Sequence, residues 1–138
     1  MAAATPSGQP YWPSGDPDSL SRQVLSAALE VHRALGPGLL ESSYEGCLAF
    51  ELALQGLAFK RQQRLPVAYK GYRIDCGYRL DLVVEERLLV EIKAVQTLLP
   101  IHEAQVLTYL KLSSLPTGLL INFNVSRLRD GIRRLGIA

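Results

Sequence analysis

From Ser19 onward, apolar residues recur at three- and four-residue spacing: Leu20, Val24, Ala27, Ala28, Val31 and Leu35. That is the period of an amphipathic helix. Gly36-Pro37-Gly38 stops it. A second helix is predicted from near Leu39 to about Gln55, carrying Leu40, Tyr44, Cys47, Leu48, Phe50, Leu52 and Leu54, with Gly56 as its stop. The pattern then shortens to strands: LAFKRQ, LPVAYK, and GYRID returning against the second. YRLDLVV and LLVEIKAV follow, separated by Glu85, Glu86 and Arg87. Pro100 opens a third helix, PIHEAQVLTYLKLS; GLLINFNV is an apolar strand, and LRDGIRRLGI reads as a strand or a short helix. The core order α-α-β-β-β-β-α-β, with a helix crossing between the last two core strands, implies an α/β (α+β) sheet with at least one parallel pair.

Residues 1–18 are rich in Pro, Gly, Ser and Ala and predict a flexible tail, although Tyr11 and Trp12 offer rings that could dock. The remainder, 19–138, suits one domain with a real core. No apolar stretch approaches the roughly 20 residues of a membrane helix, and the N-terminus lacks the basic and apolar segments of a secretory signal. Cys47 and Cys76 lie among apolar residues without a pairing pattern, which reads as two reduced thiols in a cytoplasmic protein. The formal charge is +2, so an electrostatic footprint for nucleic acid has to be local.

Asp81, Glu91 and Lys93 interrupt the two most apolar strands. With the hairpin centred on Glu86, Val84 meets Leu88, Leu82 meets Val90 and Leu80 meets Ile92 on a wholly apolar face. On the other face Val83 meets Leu89 and Asp81 meets Glu91, with Lys93 beyond. Two carboxylates facing each other destabilise a sheet unless something neutralises them. Lys93 can neutralise one. A divalent cation can neutralise both, and two carboxylates with a backbone carbonyl from Ile92 make a hard oxygen site suited to Mg²⁺ or Mn²⁺. A solvated edge hairpin with an Asp–Lys or Glu–Lys ion pair fits the same letters. The scattered Cys and His residues do not have zinc spacing.

Two further segments carry polar residues at helical spacing. GLLESSY puts Glu41 and Tyr44 on one helix face, which Glu45 continues, and first-turn acids also suit a helix dipole. QVLTY puts Gln105 and Tyr109 on one face of the third helix, with His102 a turn earlier; an amphipathic helix with a polar edge would look alike. Taken in order, Gly38-x-x-Glu41-x-x-Tyr44, Asp81, Glu91-Ile92-Lys93 and Gln105-x-x-x-Tyr109 resemble the GxxExxY proteins of the PD-(D/E)xK nuclease superfamily. GLLINF (118–123) and DGIRRL (130–135) extend the resemblance to nearly everything but the tail. The superfamily's proline is absent, Leu80 standing before Asp81.

The resemblance implies a restriction-endonuclease-like core, a mixed β-sheet flanked by helices. It implies that Glu41, Asp81, Glu91 and the Ile92 carbonyl hold Mg²⁺ or Mn²⁺, that Lys93 is the catalytic lysine, and that Gln105 and Tyr109 lie near the active site and DNA. The expected activity is metal-dependent hydrolysis of phosphodiester bonds in nucleic acid, with DNA the expected partner. Basic residues for phosphate contact cluster at Lys60, Arg61 and Arg64, at Lys70, Arg73 and Arg79, and at Arg127, Arg129, Arg133 and Arg134. Arg61, Arg64, Arg79 and Arg133 are the candidates among them. The alternative is a non-catalytic module that binds nucleic acid or protein on the same fold. No Gly-rich phosphate loop points to a nucleotide cofactor.

Overall fold

The computed structural model describes residues 18–137; of the tail expected over residues 1–18, all but Asp18, Tyr11 and Trp12 included, lies outside them. Asp18, which composition groups with the tail, instead caps the first helix, α1 (Ser19–Leu35). Its carboxylate accepts from the Leu20 and Ser21 N–H groups at 3.1 and 3.4 Å and from the Ser21 hydroxyl at 2.9 Å. These bonds satisfy donors that a helix start otherwise leaves open. The α2 helix (Glu41–Leu54) buries Tyr44, Leu48, Ala49 and Leu52. Leu40, Phe50 and Leu54, which the sequence pattern groups with its apolar side, are exposed. No described helix is long and apolar enough to cross a membrane.

The chain then forms β1 (Phe59–Arg64), a small hairpin of β2 (Val67–Tyr69) and β3 (Tyr72–Ile74), and a larger one of β4 (Arg79–Val84) and β5 (Leu88–Lys93). Helix α3 (Pro100–Ser113) carries it back to β6 (Thr117–Asn122). The C-terminal stretch is both things the sequence allows: a 3-10 turn over Leu128–Gly131 and then a strand, β7 (Ile132–Gly136). Five strands form one sheet in the order β1-β4-β5-β6-β7. The β5–β6 pair, joined through α3, is parallel and the rest are antiparallel.

Alternation along the strands sends side chains to two cores. Leu82, Val84, Leu88, Val90, Ile92, Leu119 and Ile121 pack under α1 and α2. Val83, Leu89, Leu120 and Leu135 pack under Val106 and Leu110 of α3. The sheet is therefore mixed and flanked by helices on both faces, the restriction-endonuclease-like arrangement expected. One position breaks the alternation. Leu80 does not join Ile92 on the α1–α2 side but packs in the α3-side core. The cause lies at its neighbour, Asp81.

Candidate functional site

The hairpin does turn about Glu86, with Val84↔Leu88, Val83↔Leu89 and Leu82↔Val90 as partners. The ladder goes no further, because the strands part and the Asp81 carboxylate enters the gap. Its Oδ2 accepts the Ile92 N–H at 2.8 Å, while its own N–H points at Glu91 Oε2, 3.4 Å away. A side chain thus replaces a backbone rung, and the turn this requires carries Leu80 to the other face.

Glu91 stands on β5 beside that gap and is only 3% exposed. Its Oε1 is buried without a hydrogen-bond partner among the described residues. Burial first, then the hydrogen bond and charge of Asp81, push its carboxyl up to about 10, against the weaker opposing pull of Lys93. A carboxylate shut away from water beside a second one holds its proton unless a cation arrives.

Lys93, two residues on, closes no ion pair with either acid. Its Nζ donates to Gln105 Oε1 at 3.0 Å, and Gln105 Nε2 donates to the Tyr109 hydroxyl at 3.1 Å. Residues four apart on α3 therefore form a bracket that fixes the ammonium group. Tyr109 is 8% exposed; burial, followed by the charges of Glu91 and Tyr78, raises its phenol above the usual range. His102 stays out of this bracket. Its Nδ1 accepts the Leu99 N–H at 2.9 Å and finishes the start of α3.

The G-x-x-E-x-x-Y segment divides into scaffold and site. Gly38 has φ +104°, which a side chain would resist, and its N–H donates to Asn124 Oδ1 at 3.1 Å. Tyr44 is fully buried, stacked on Phe123 with centroids 4.6 Å apart. Its hydroxyl donates to Gly36 O at 2.6 Å and accepts the Leu39 N–H at 3.1 Å. Both ends of the α1–α2 loop are tied, so Glu41 enters the first turn of α2 at a set place. Glu41 Oε2 accepts the Ala94 N–H at 3.3 Å, and Glu41 lines one cleft with Ser42, Glu45, Gln62, Asp81 and Ile92.

Glu45 and Gln62 were not legible as site residues. Glu45, 7% exposed, accepts from Arg61 Nε at 3.1 Å and from Gln62 Nε2 at 2.6 Å. The same Gln62 nitrogen lies 3.2 Å from Asp81 Oδ1. Gln62 holds φ +50° inside β1, a conformation unfavourable for a residue with a side chain. The sequence signal was the helical i, i+4 spacing of Glu41 and Glu45; nothing local paired β1 with β4 across the inserted hairpin. Asn122, 1% exposed, was likewise missed. It accepts the Val95 and Asn124 N–H groups and donates to Val95 O, clamping the chain just past Lys93.

The basic residues expected at phosphates differ in burial. Arg133 is 9% exposed and its Nη1 donates to the Asp130 and Ile132 carbonyls, so it is not placed to reach a phosphate. Arg134 is buried too, 3.5 Å from Asp18. Arg61 serves Glu45, as above. Arg64 and Arg79, partners across β1 and β4, stay at the surface beside the β2–β3 hairpin. Cys47 and Cys76 are free thiols as expected, but both are exposed rather than enclosed by apolar neighbours.

Among the described residues, no three Asp, Glu, His or Cys side chains converge tightly enough to grip a metal as they stand. Their chemistry nevertheless suits a hard divalent cation. All the donors are oxygens, Asp81, Glu41 and Ile92 line one cleft, and Glu91 Oε1 is buried without a hydrogen-bond partner among the described residues.

Nothing among curated proteins or solved structures matches the chain. A family model does, that of the PD-(D/E)XK nuclease superfamily, over residues 18–135. The match spans both helices ahead of the sheet, all of its strands but the last residue of β7, and every residue of the Asp81–Glu91–Lys93 cluster, and the chain belongs to the PD-(D/E)XK nuclease superfamily.

Proposed function

We propose that the protein is a metal-dependent nuclease of the GxxExxY branch that hydrolyses phosphodiester bonds of DNA. The observation that carries this reading is the pairing of half-buried Asp81 with buried Glu91, with Lys93 held beside them by Gln105. A structural ion pair would join Lys93 to an acid; here the ammonium is bracketed from the α3 side and remains directed by a neutral amide. That keeps its full charge for something else, which argues against a non-catalytic relic.

Glu41, Asp81, Glu91 and the Ile92 carbonyl would hold Mg²⁺ or Mn²⁺, which when bound polarises a scissile phosphate and acidifies a water. Lys93 would orient that water and stabilise charge building on the phosphoryl oxygens. Gln105 fixes the Lys93 side chain and Tyr109 fixes Gln105, so both are positioning residues. Gln62 reaches the Asp81 carboxylate from β1, and Glu45 on α2 accepts from the same Gln62 nitrogen. Water supplies hydroxide to phosphorus and its proton goes to the departing oxygen, so the products are one phosphate monoester end and one hydroxyl end.

The test is cleavage of labelled nucleic acids with Mn²⁺ or Mg²⁺. EDTA should stop the reaction. Lys93→Ala and Asp81→Ala should each abolish it while circular dichroism stays native. Cutting that survives both substitutions would rule out this site.

A further inference from the structure

The β2–β3 hairpin belongs to neither core. Its strands pair only with each other, through Val67↔Ile74, Ala68↔Arg73 and Tyr69↔Tyr72. Lys70 and Gly71, both at positive φ, close a two-residue turn. Alternation then puts Val67, Tyr69, Tyr72 and Ile74 on one face. Tyr69, Tyr72 and Ile74 are 58%, 73% and 44% exposed. An isolated two-stranded hairpin is marginal in water, so two bare rings side by side are not there for the core. The other face, with Ala68 and Arg73, lines a polar cavity with Gln63, Arg64, Leu112 and Ser113 at the end of α3. The ring face therefore looks away from the body.

Charge says what it would meet. Residues 60–79 hold six basic side chains and one acid, a net +5 in a chain whose total is +2, so the rest of the molecule is acidic. Lys70 Nζ stands 5.5 Å above the Tyr69 ring. The surface also leads into the candidate site. Tyr78, 45% exposed, lies 5.9 Å from the Tyr109 ring, and Tyr109 connects through Gln105 to Lys93.

We propose that the tyrosine face of this hairpin is a stacking platform for unpaired bases of a DNA strand, with Lys70 at its rim for a phosphate, leading toward the Asp81–Lys93 cleft. The destination rests on the nuclease reading; the binding does not. Flat rings accept any base face, and cations at their rim accept any phosphate. A duplex, with its bases already stacked, would offer this surface only its backbone.

Fluorescence anisotropy in EDTA tests the binding without cleavage, using a labelled oligothymidylate of roughly 15 nucleotides, a DNA duplex and an RNA strand of the same length. The single DNA strand should bind best. Tyr69→Ala and Tyr72→Ala should each weaken it about tenfold or more, leave duplex binding unchanged and keep native circular dichroism. Tyr72→Trp should restore it. Lys70→Glu should weaken it and flatten its salt dependence. Tyrosine variants that bind like wild type, or tighter binding of the duplex or of RNA, would overturn the platform. A parallel Mn²⁺ cleavage assay separates the two readings. Cutting with tyrosine-independent binding removes the platform and leaves the nuclease; tyrosine-dependent binding with no cutting of any substrate removes the nuclease and leaves the platform.

Discussion

Asp81 Oδ2 accepts the Ile92 N–H at 2.8 Å, so an acid from β4 occupies a place in the sheet that a backbone carbonyl would ordinarily fill. The carboxylate is held at the mouth of the cleft by the fold itself, and β4 and β5 are parted where Glu91 needs room. The same contact brings half-buried Asp81 beside buried Glu91, which has a measurable cost.

That cost falls on Glu91. Its folded-state value near 10 lies far above the ordinary 4.5, so between those limits the folded protein keeps a proton the unfolded chain has released. Stability from this group is full below about pH 4.5 and is lost as pH rises toward 10, by up to about 1.4 kcal/mol per pH unit. Glu91→Gln cannot titrate. In EDTA the variant should gain on wild type by about 1 kcal/mol per unit between pH 6 and 8 in urea titrations. Parallel pH profiles for the two proteins would refute the buried-acid account.

At Gln62 the backbone holds φ +50° so that one amide nitrogen can face both Glu45 and Asp81. Gln62→Ala and Gln62→Gly both lose those bonds, but only glycine relieves the left-handed strain. The glycine variant should be the more stable of the two by about 1 kcal/mol, the reverse of the usual order in a strand. An alanine variant equal to or better than glycine would mean the conformation carries no strain.

Tyr44→Phe keeps the stack on Phe123 but leaves Gly36 O and the Leu39 N–H without the hydroxyl that joins them. Gly36 and Leu39 are reached by water, so the loss is that of ordinary hydrogen bonds, about 0.5–1.5 kcal/mol each, and thermal or chemical melts should show a loss in that range. If phenylalanine is neutral, the tyrosine of the motif serves something other than the α1–α2 loop.

A Cβ on Gly131 would lie 2.2 Å from the Asn122 carbonyl oxygen, whereas one on Gly136 finds its nearest atom at 3.5 Å. Gly131→Ala should therefore destabilise by at least about 2 kcal/mol and Gly136→Ala by less than about 1. Because Asn122 clamps Val95, the Gly131 variant should also lose Mn²⁺-dependent cutting before it unfolds. Similar melting curves for the two alanine variants would argue against the close approach.

The elements were legible in the letters. The helical period of 19–35, the hairpin centred on Glu86 and the Pro100 start of α3 are local patterns, and local patterns follow from spacing alone. The motif resemblance pointed to Asp81, Glu91, Lys93, Gln105 and Tyr109, which the fold gathers at one end of the sheet. What spacing cannot carry is the pairing of segments distant in the chain. β1 meets β4 across an intervening hairpin, which brings Gln62 and Glu45 to Asp81, and only the folded sheet reveals it. Burial was equally hidden. Arg133 reads like Arg64 in one dimension, but the fold buries one and leaves the other in solvent. Even the strict alternation that put Leu80 opposite Ile92 failed where a carboxylate replaced a rung. A side chain's spacing is set by its neighbours in sequence; its solvation and its partners are set by whatever the completed fold packs against it.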